Sequence, residues 1–290
     1  MNAPTELAPL RPVRLAQLGA LLLSGPDVRP FLQGQLSADM ETLQPGLVLP
    51  AACNSAQGRV QAVVWLVERT DGVALLLPAD AIDTITERLR KYVLRAKVTF
   101  APPSALTVGV AADGADGGVA HAQRGDVSFI RLPGHSDTLA LSPVADWPAA
   151  APEQERLWRL EHIRAGLAQI YPPTYESFVA QMLNLDLIGA ISFEKGCYTG
   201  QEIIARAHYR GAVKRRMFRF AASCSPAPPG ARILADGQRA GEVVDAAASD
   251  GGCELLAVIS LSQLDQRLTI EDQPDAALEL RALPYEPPRG

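Results

Sequence analysis

Long apolar runs are missing from this 290-residue chain. Its apolar stretches, such as residues 21–23 and 73–77, are strand-length pieces interrupted by Gly, Asp or Pro, far short of a membrane-spanning helix, so no membrane association is expected. The opening residues Asn2-Ala3-Pro4-Thr5-Glu6 carry no basic stretch ahead of an apolar one, which removes the signature of a secretory signal and makes the cytoplasm the expected location. Cysteine is scarce: Cys53, Cys197, Cys224 and Cys253 lie far apart, and no two have the spacing of a zinc or redox motif. Neither a disulfide framework nor a structural metal is therefore expected, and His121, His135, His162 and His208 show no ligand spacing either. Aromatics make up only 6% of the chain, so each Trp carries more information than usual.

What is present is ordinary globular material, 48% apolar and 20% charged, in a length that suits two or three packed units. The net charge is −5, yet residues 195–219 hold seven basic side chains against the one acid Glu202. One concentrated basic stretch in an acidic chain fits a local anion site better than attraction to nucleic acid, and direct nucleic-acid binding is not expected. No aromatic side chains read as interleaved with that run.

Periodicity divides the chain. Residues 20–24 read as a strand, and Val28, Phe31, Leu32 and Leu36 as a helix face. Strands follow at 47–53, 60–67 and 73–77, joined across Asn54-Ser55-Ala56-Gln57-Gly58 and Asp71-Gly72. An amphipathic helix over 79–93 and a strand over 96–101 complete one α+β unit. A second unit has strands near 106–111, 127–132 and 138–142, a loop at 113–118, and a helix over 152–165. After Gly211, short strands punctuated by Pro and Gly signal an all-β domain, giving a division into 1–211 and 212–290.

The segment Lys195-Gly196-Cys197-Tyr198-Thr199-Gly200-Gln201-Glu202 carries the chemistry. Thr199 and Glu202 have capping-box spacing, which predicts a helix from Gly200, with Tyr198 and Ile203 as a hydrophobic staple. Cys197 then sits just before a helix N-terminus, with Lys195 two residues away and arginines following, three influences that lower the expected thiol pKa. Gly196 leaves room for close approach. On residue type alone, Cys197 also reads as a small buried apolar residue, the basic run as a water-facing helix end, and Trp158 as core packing.

The run from Ile191 through Arg206, followed by Arg210-Gly211 and Lys214-Arg215, resembles the signature of the YgfZ family. Phe31-Leu32-Gln33-Gly34-Gln35-Leu36-Ser37-Ala38-Asp39 and the closing Leu283-Pro284-Tyr285 are similar to that family as well, so the likeness spans nearly the whole chain. It implies an α+β fold of the glycine-cleavage aminomethyltransferase (GcvT-like) superfamily: a two-part folate-binding region of antiparallel sheets with helices, plus a C-terminal β-barrel, in a cloverleaf around a central channel. It further implies tetrahydrofolate, or a one-carbon-substituted folate, as cofactor. The implied role is support for assembly or repair of iron–sulfur enzymes, including tRNA-modifying ones, with Cys197 as the reactive residue and Lys195 beside it. Those enzymes, or cluster-assembly proteins, become the implied partners.

Carried over by position, the resemblance makes Trp158 a pterin-stacking residue and places Leu18 where the family has a second folate-contacting Trp. Arg206, Arg210 and Lys214 are candidates for the folate carboxylates. Two departures bear on activity. Where aminomethyltransferases have an acid, this chain has Gln61 and Ala62, and a superfamily glutamate at the pterin is replaced by Arg164. A non-catalytic accessory role is therefore expected, with a one-carbon transferase using Cys197 as nucleophile the alternative.

Overall fold

The computed structural model describes residues 12–111, 120–143, 146–211 and 213–289. The N-terminal residues 2–6, the loop at 113–118 and the boundary residue 212 lie outside them. The architecture is mixed α+β, built on three antiparallel sheets with few helices.

Short β1 (Val13–Arg14) belongs to the second sheet. The first sheet takes β2 (Leu18–Ser24), β3 (Leu49–Asn54), β4 (Val60–Arg69), β5 (Gly72–Pro78) and β6 (Thr99–Phe100), in the order β3-β4-β5-β2-β6. Helices α1 (Val28–Gln35) and α2 (Ile82–Arg90) cover one face, where Phe31, Leu32, Ile85 and Leu89 meet Leu21, Val64, Leu66 and Leu75. The other face, with Ala20, Trp65, Val67 and Leu76, packs on the second sheet. Burial on both faces explains why β4 and β5 are apolar almost throughout instead of alternating.

The second sheet adds β7 (Thr107–Ala111), β8 (His121–Arg124), β9 (Val127–Ile130) and β10 (Thr138–Ser142), in the order β1-β7-β10-β9-β8. Helix α3 (Pro152–Arg164) follows. Three of these elements are shorter than their patterns predict: α2 begins at Ile82 after a 3-10 turn, the strand expected over 96–101 keeps two residues, and that expected over 127–132 ends at Ile130. Polar β8 is not foreshadowed by any apolar alternation.

After α4 (Gln201–Arg210) come β11 (Arg215–Ala222), β12 (Arg232–Ala235), β13 (Gln238–Ser249), β14 (Gly252–Ser260), β15 (Leu268–Ile270), β16 (Gln273–Ala277) and β17 (Glu279–Arg281). They form one curled half-barrel sheet in the order β16-β15-β12-β13-β14-β11-β17, with bulges in the β12/β13 and β13/β14 pairings that let it curl. One face has its own core of Phe218, Phe220, Ile233 and Leu255. The other sends Met217, Val244, Leu256 and Val258 into a core shared with Ile163, Leu183, Tyr198 and Ile204. Among the described residues no helix is long and apolar enough to cross a membrane.

Candidate functional site

Lys195 is buried, and its ammonium turns away from solvent into the C-terminal end of α1. Nζ donates to the carbonyls of Gln33 (2.7 Å), Leu36 (2.9 Å) and Ala38 (2.6 Å). The last carbonyls of a helix have no intrahelical donor and carry the negative end of its dipole, so a cation is well placed there. Nζ also lies 5.0 Å from the Tyr198 ring centre. Burial holds the Lys195 pKa down to about 8.

Backbone bonds on either side of Cys197 stitch the same loop to α1 and the residues just after it: Ser192 donates to Ser37 (2.9 Å) and Thr199 to Gly34 (3.2 Å). Between them Gly196 and Cys197 are exposed, and a Cβ built on Gly196 would meet nothing within 4 Å. Cys197 is thus presented to open space by a loop whose flanking residues Lys195 and Tyr198 are buried. Burial also pushes the Tyr198 phenol up to about 12, and its hydroxyl has no partner among the described residues.

The capping box expected at Thr199 does not form. Gly200, not Thr199, is the N-cap; it is left-handed (φ 84°), and the helix starts at Gln201 with no side-chain cap. The Thr199 amide is already engaged by Gly34, and Gly200 approaches the β3–β4 turn so closely that a Cβ would lie 2.5 Å from the Ser55 carbonyl oxygen. Only glycine accommodates both conditions. With this shift the staple positions fall on Thr199 and Ile204, so Tyr198 and Ile203 do not form one; Ile203 lies over Gly58 instead.

The basic run is partly consumed by the fold. Lys195 is spent on α1, Arg216 forms a two-pronged pair with Asp186 (2.6 and 2.9 Å), and Arg219 lies 3.8 Å from Glu254. Arg206 and Lys214 remain exposed; Arg210 ends α4, its side chain outside the described set. Lys214 and Arg216 line a groove of about 530 Å³ with Ala207, His208 and Val213. Against expectation, aromatics do accompany the run. Phe193 stacks on His208 (3.9 Å, 20°), and Tyr209 meets both rings edge-on.

Trp158 and Leu18 lie together in the core between the first two sheets, 2% and 5% exposed. The Trp158 indole stacks on His162 (5.0 Å, 22°) and is flanked by His135 (5.6 Å). The structure does not offer either ring face to solvent, and the loop that carries Cys197 packs through Tyr198 into a different core. Arg164 pairs with Glu254 through Nε (3.0 Å) and Nη2 (2.6 Å), so the charge it introduces is compensated within the chain.

Two features escaped the sequence. Gln61 donates to the Glu176 carboxylate (2.7 Å), and Glu176 adopts a left-handed backbone (φ 58°), rare for a residue with a side chain. A carboxylate thus reaches the strand position where sequence alone shows none, from 115 residues away. The second is the contact of Cys224 with Cys253, whose sulfurs lie 3.5 Å apart. Among the described residues no three His, Cys, Asp or Glu side chains cluster as metal ligands.

No family model matches the chain. It is 32% identical to the tRNA-modifying protein YgfZ of Edwardsiella ictaluri over 98% of both chains. It is 31% identical to the protein of that name from Yersinia enterocolitica, covering 96% of this chain and 93% of the relative. Among solved structures, the glycine cleavage system aminomethyltransferase T of Bartonella henselae superposes with a TM-score of 0.73 at 15% identity, over 94% of this chain and 85% of that one. That likeness speaks to fold.

Proposed function

The chain belongs to the YgfZ family, and on that premise we propose that it is a folate-dependent accessory protein of tRNA modification that supports iron–sulfur enzymes through the Cys197 thiol. The observation that carries this reading is the presentation of Cys197: an exposed sulfur, beside a glycine facing open space, on a loop fastened by the buried Lys195. A thiol held outward on a fastened loop suits contact with another macromolecule. An iron–sulfur cluster would enter as cargo of that client.

Tetrahydrofolate is the small-molecule partner in this reading, supported by the GcvT-like fold and by the exposed cations Arg206 and Lys214, which suit a carboxylate tail. A pterin stacked on Trp158 does not fit the residues present, because His162 covers a face of the indole and the ring is sealed in the core. A one-carbon-substituted folate would supply a one-carbon unit, which tetrahydrofolate itself lacks. The chain's own contribution is positional: Lys195 fixes the loop, and Gly196 leaves the approach to Cys197 clear.

The test is complementation of a bacterial strain lacking its own YgfZ. Cys197→Ala is expected to abolish recovery of iron–sulfur-dependent tRNA modification while tetrahydrofolate affinity, measured by calorimetry on the purified protein, stays unchanged. Full complementation by Cys197→Ala would remove the thiol from the account. Catalytic turnover of a folate adduct by the wild-type protein would shift the reading to a one-carbon transferase.

A further inference from the structure

Cys224 and Cys253 are 29 positions apart in sequence, yet their Sγ atoms lie 3.5 Å from each other. Register explains the meeting. Cys253 pairs with Ala222 at the end of β11, and Cys224 follows two residues later, where the chain bends over the start of β14. Gly252 lets the two strands close up there: a Cβ on it would lie 2.1 Å from the Ala222 carbonyl oxygen. Cys253 is 1% exposed and Cys224 is partly exposed. Both line a cavity of about 770 Å³ whose charged lining is four carboxylates, Asp250, Asp272, Asp275 and Glu279, against the single guanidinium of Arg281, itself bonded to Glu279 (2.7 Å). The other two thiols are placed differently, Cys53 fully buried and Cys197 exposed on the motif loop.

We propose that Cys224 and Cys253 form a redox-active dithiol that is oxidised to an intramolecular disulfide by small cationic or neutral disulfides entering through this acidic cavity. In the first step the Cys224 thiolate attacks one sulfur of the small disulfide; its S–S bond breaks, one thiolate leaves and takes up a proton, and a mixed disulfide remains on Cys224. In the second, Cys253 loses its proton to solvent and attacks the Cys224 sulfur, expelling the other small thiol. Two protein thiols are oxidised and one disulfide is reduced to two thiols. Accessibility sets the order of roles, with Cys224 attacking and Cys253 resolving. In the dithiol, burial together with its neighbour Cys224 pushes the Cys253 thiol up to about 12; in the mixed disulfide the burial remains, so resolution depends on proximity and quickens with rising pH. The surrounding carboxylates disfavour anionic oxidants and favour cationic ones.

The experiment uses the full chain with Cys197→Ser, which silences the exposed motif thiol, and three probes: cystamine, hydroxyethyl disulfide and glutathione disulfide. Intact mass and peptide mapping are expected to show a Cys224–Cys253 cross-link with loss of two hydrogens, formed fastest with cystamine and slowest with glutathione disulfide, the differences shrinking at high salt. Cys253→Ala is expected to trap the probe on Cys224, and Cys224→Ala to leave Cys253 unmodified while folded. A lasting adduct on Cys224 when Cys253 is present, or a free Cys224 under all three probes, would overturn the dithiol. Equal rates with all three would overturn the charge selection.

Discussion

Lys195 and Cys197 stand two residues apart and face opposite environments, one driven into the end of α1 and the other left in open space. Lys195 reads in the sequence as a charge beside a thiol. Its real partners, Gln33, Leu36 and Ala38, lie 157 to 162 residues upstream, and no local pattern records such a contact. Replacing it with methionine keeps the stem and leaves three carbonyls without their donor, so Lys195→Met is expected to cost about 2–4 kcal/mol in urea denaturation. The pH dependence adds a sign. Burial sets the folded pKa near 8 against an ordinary value of 10.5, so between those values the unfolded chain binds more protons. Stability from this group therefore rises as pH climbs through that window. Wild type should gain on Lys195→Met from about pH 8 to 10.5, and a constant gap would contradict the burial of the ammonium.

Helix α3 shows what an element can and cannot reveal in advance. Its span and its apolar residues were legible because Pro152 suits a first turn and Leu160 and Ile163 fall one helical step apart. The start of α4 was not: Thr199 and Glu202 carry capping-box letters, but a neighbouring strand turn forces Gly200 into the cap. Trp158 could be placed on α3, though not on which side of the core it would end, since that depends on the packing of two sheets and on His135 from the β9–β10 connection. Trp158→Ala is expected to cost about 3–5 kcal/mol of stability, read by chemical denaturation, because a sealed indole leaves a cavity. Loss of folate affinity without loss of stability would instead argue for an accessible ring. The same packing buries His135 and His162, their Nε2 and Nδ1 3.1 Å apart. Burial lowers the His135 pKa to about 4 and that of His162 well below its ordinary 6.5. Both are neutral in the fold, so the unfolded chain takes up protons first, and the stability they contribute is lost as pH falls from 6.5 towards 4. His135→Phe is expected to flatten that acid limb in thermal melts; an unchanged limb would place its origin elsewhere.

At the scale of the whole molecule the third sheet is not an appendage. Its Met217, Val244 and Leu256 share a core with Ile204 and Leu183, Tyr285 donates to the Gly166 carbonyl (2.5 Å), and α3 is clamped onto β13 by charge. In the sequence, Pro- and Gly-rich turns after Gly211 lead to the expectation of an all-β segment there. The sequence held no sign of this joint, because Arg159 and Asp245 stand 86 residues apart, and neither has an unusual neighbour in sequence. In the fold Arg159 Nε donates to Asp245 Oδ1 (2.6 Å), and the Tyr171 hydroxyl, shared between Gln169 Oε1 (2.8 Å) and Asp245 Oδ2 (3.0 Å), lies on the other oxygen, with the carboxylate fully buried. Removing the carboxylate strands its cation: Asp245→Ala leaves the half-buried Arg159 guanidinium without its acceptor, while the Tyr171 hydroxyl keeps Gln169 Oε1 (2.8 Å). The expected loss is about 3–5 kcal/mol. The exposed pair Arg232 and Glu271, with side chains 59% and 43% accessible, serves as the control; there Glu271→Ala should cost less than about 1 kcal/mol. If the two substitutions shift the urea midpoint equally, the Asp245 clamp does not hold the third sheet, and the shared apolar core must do so alone.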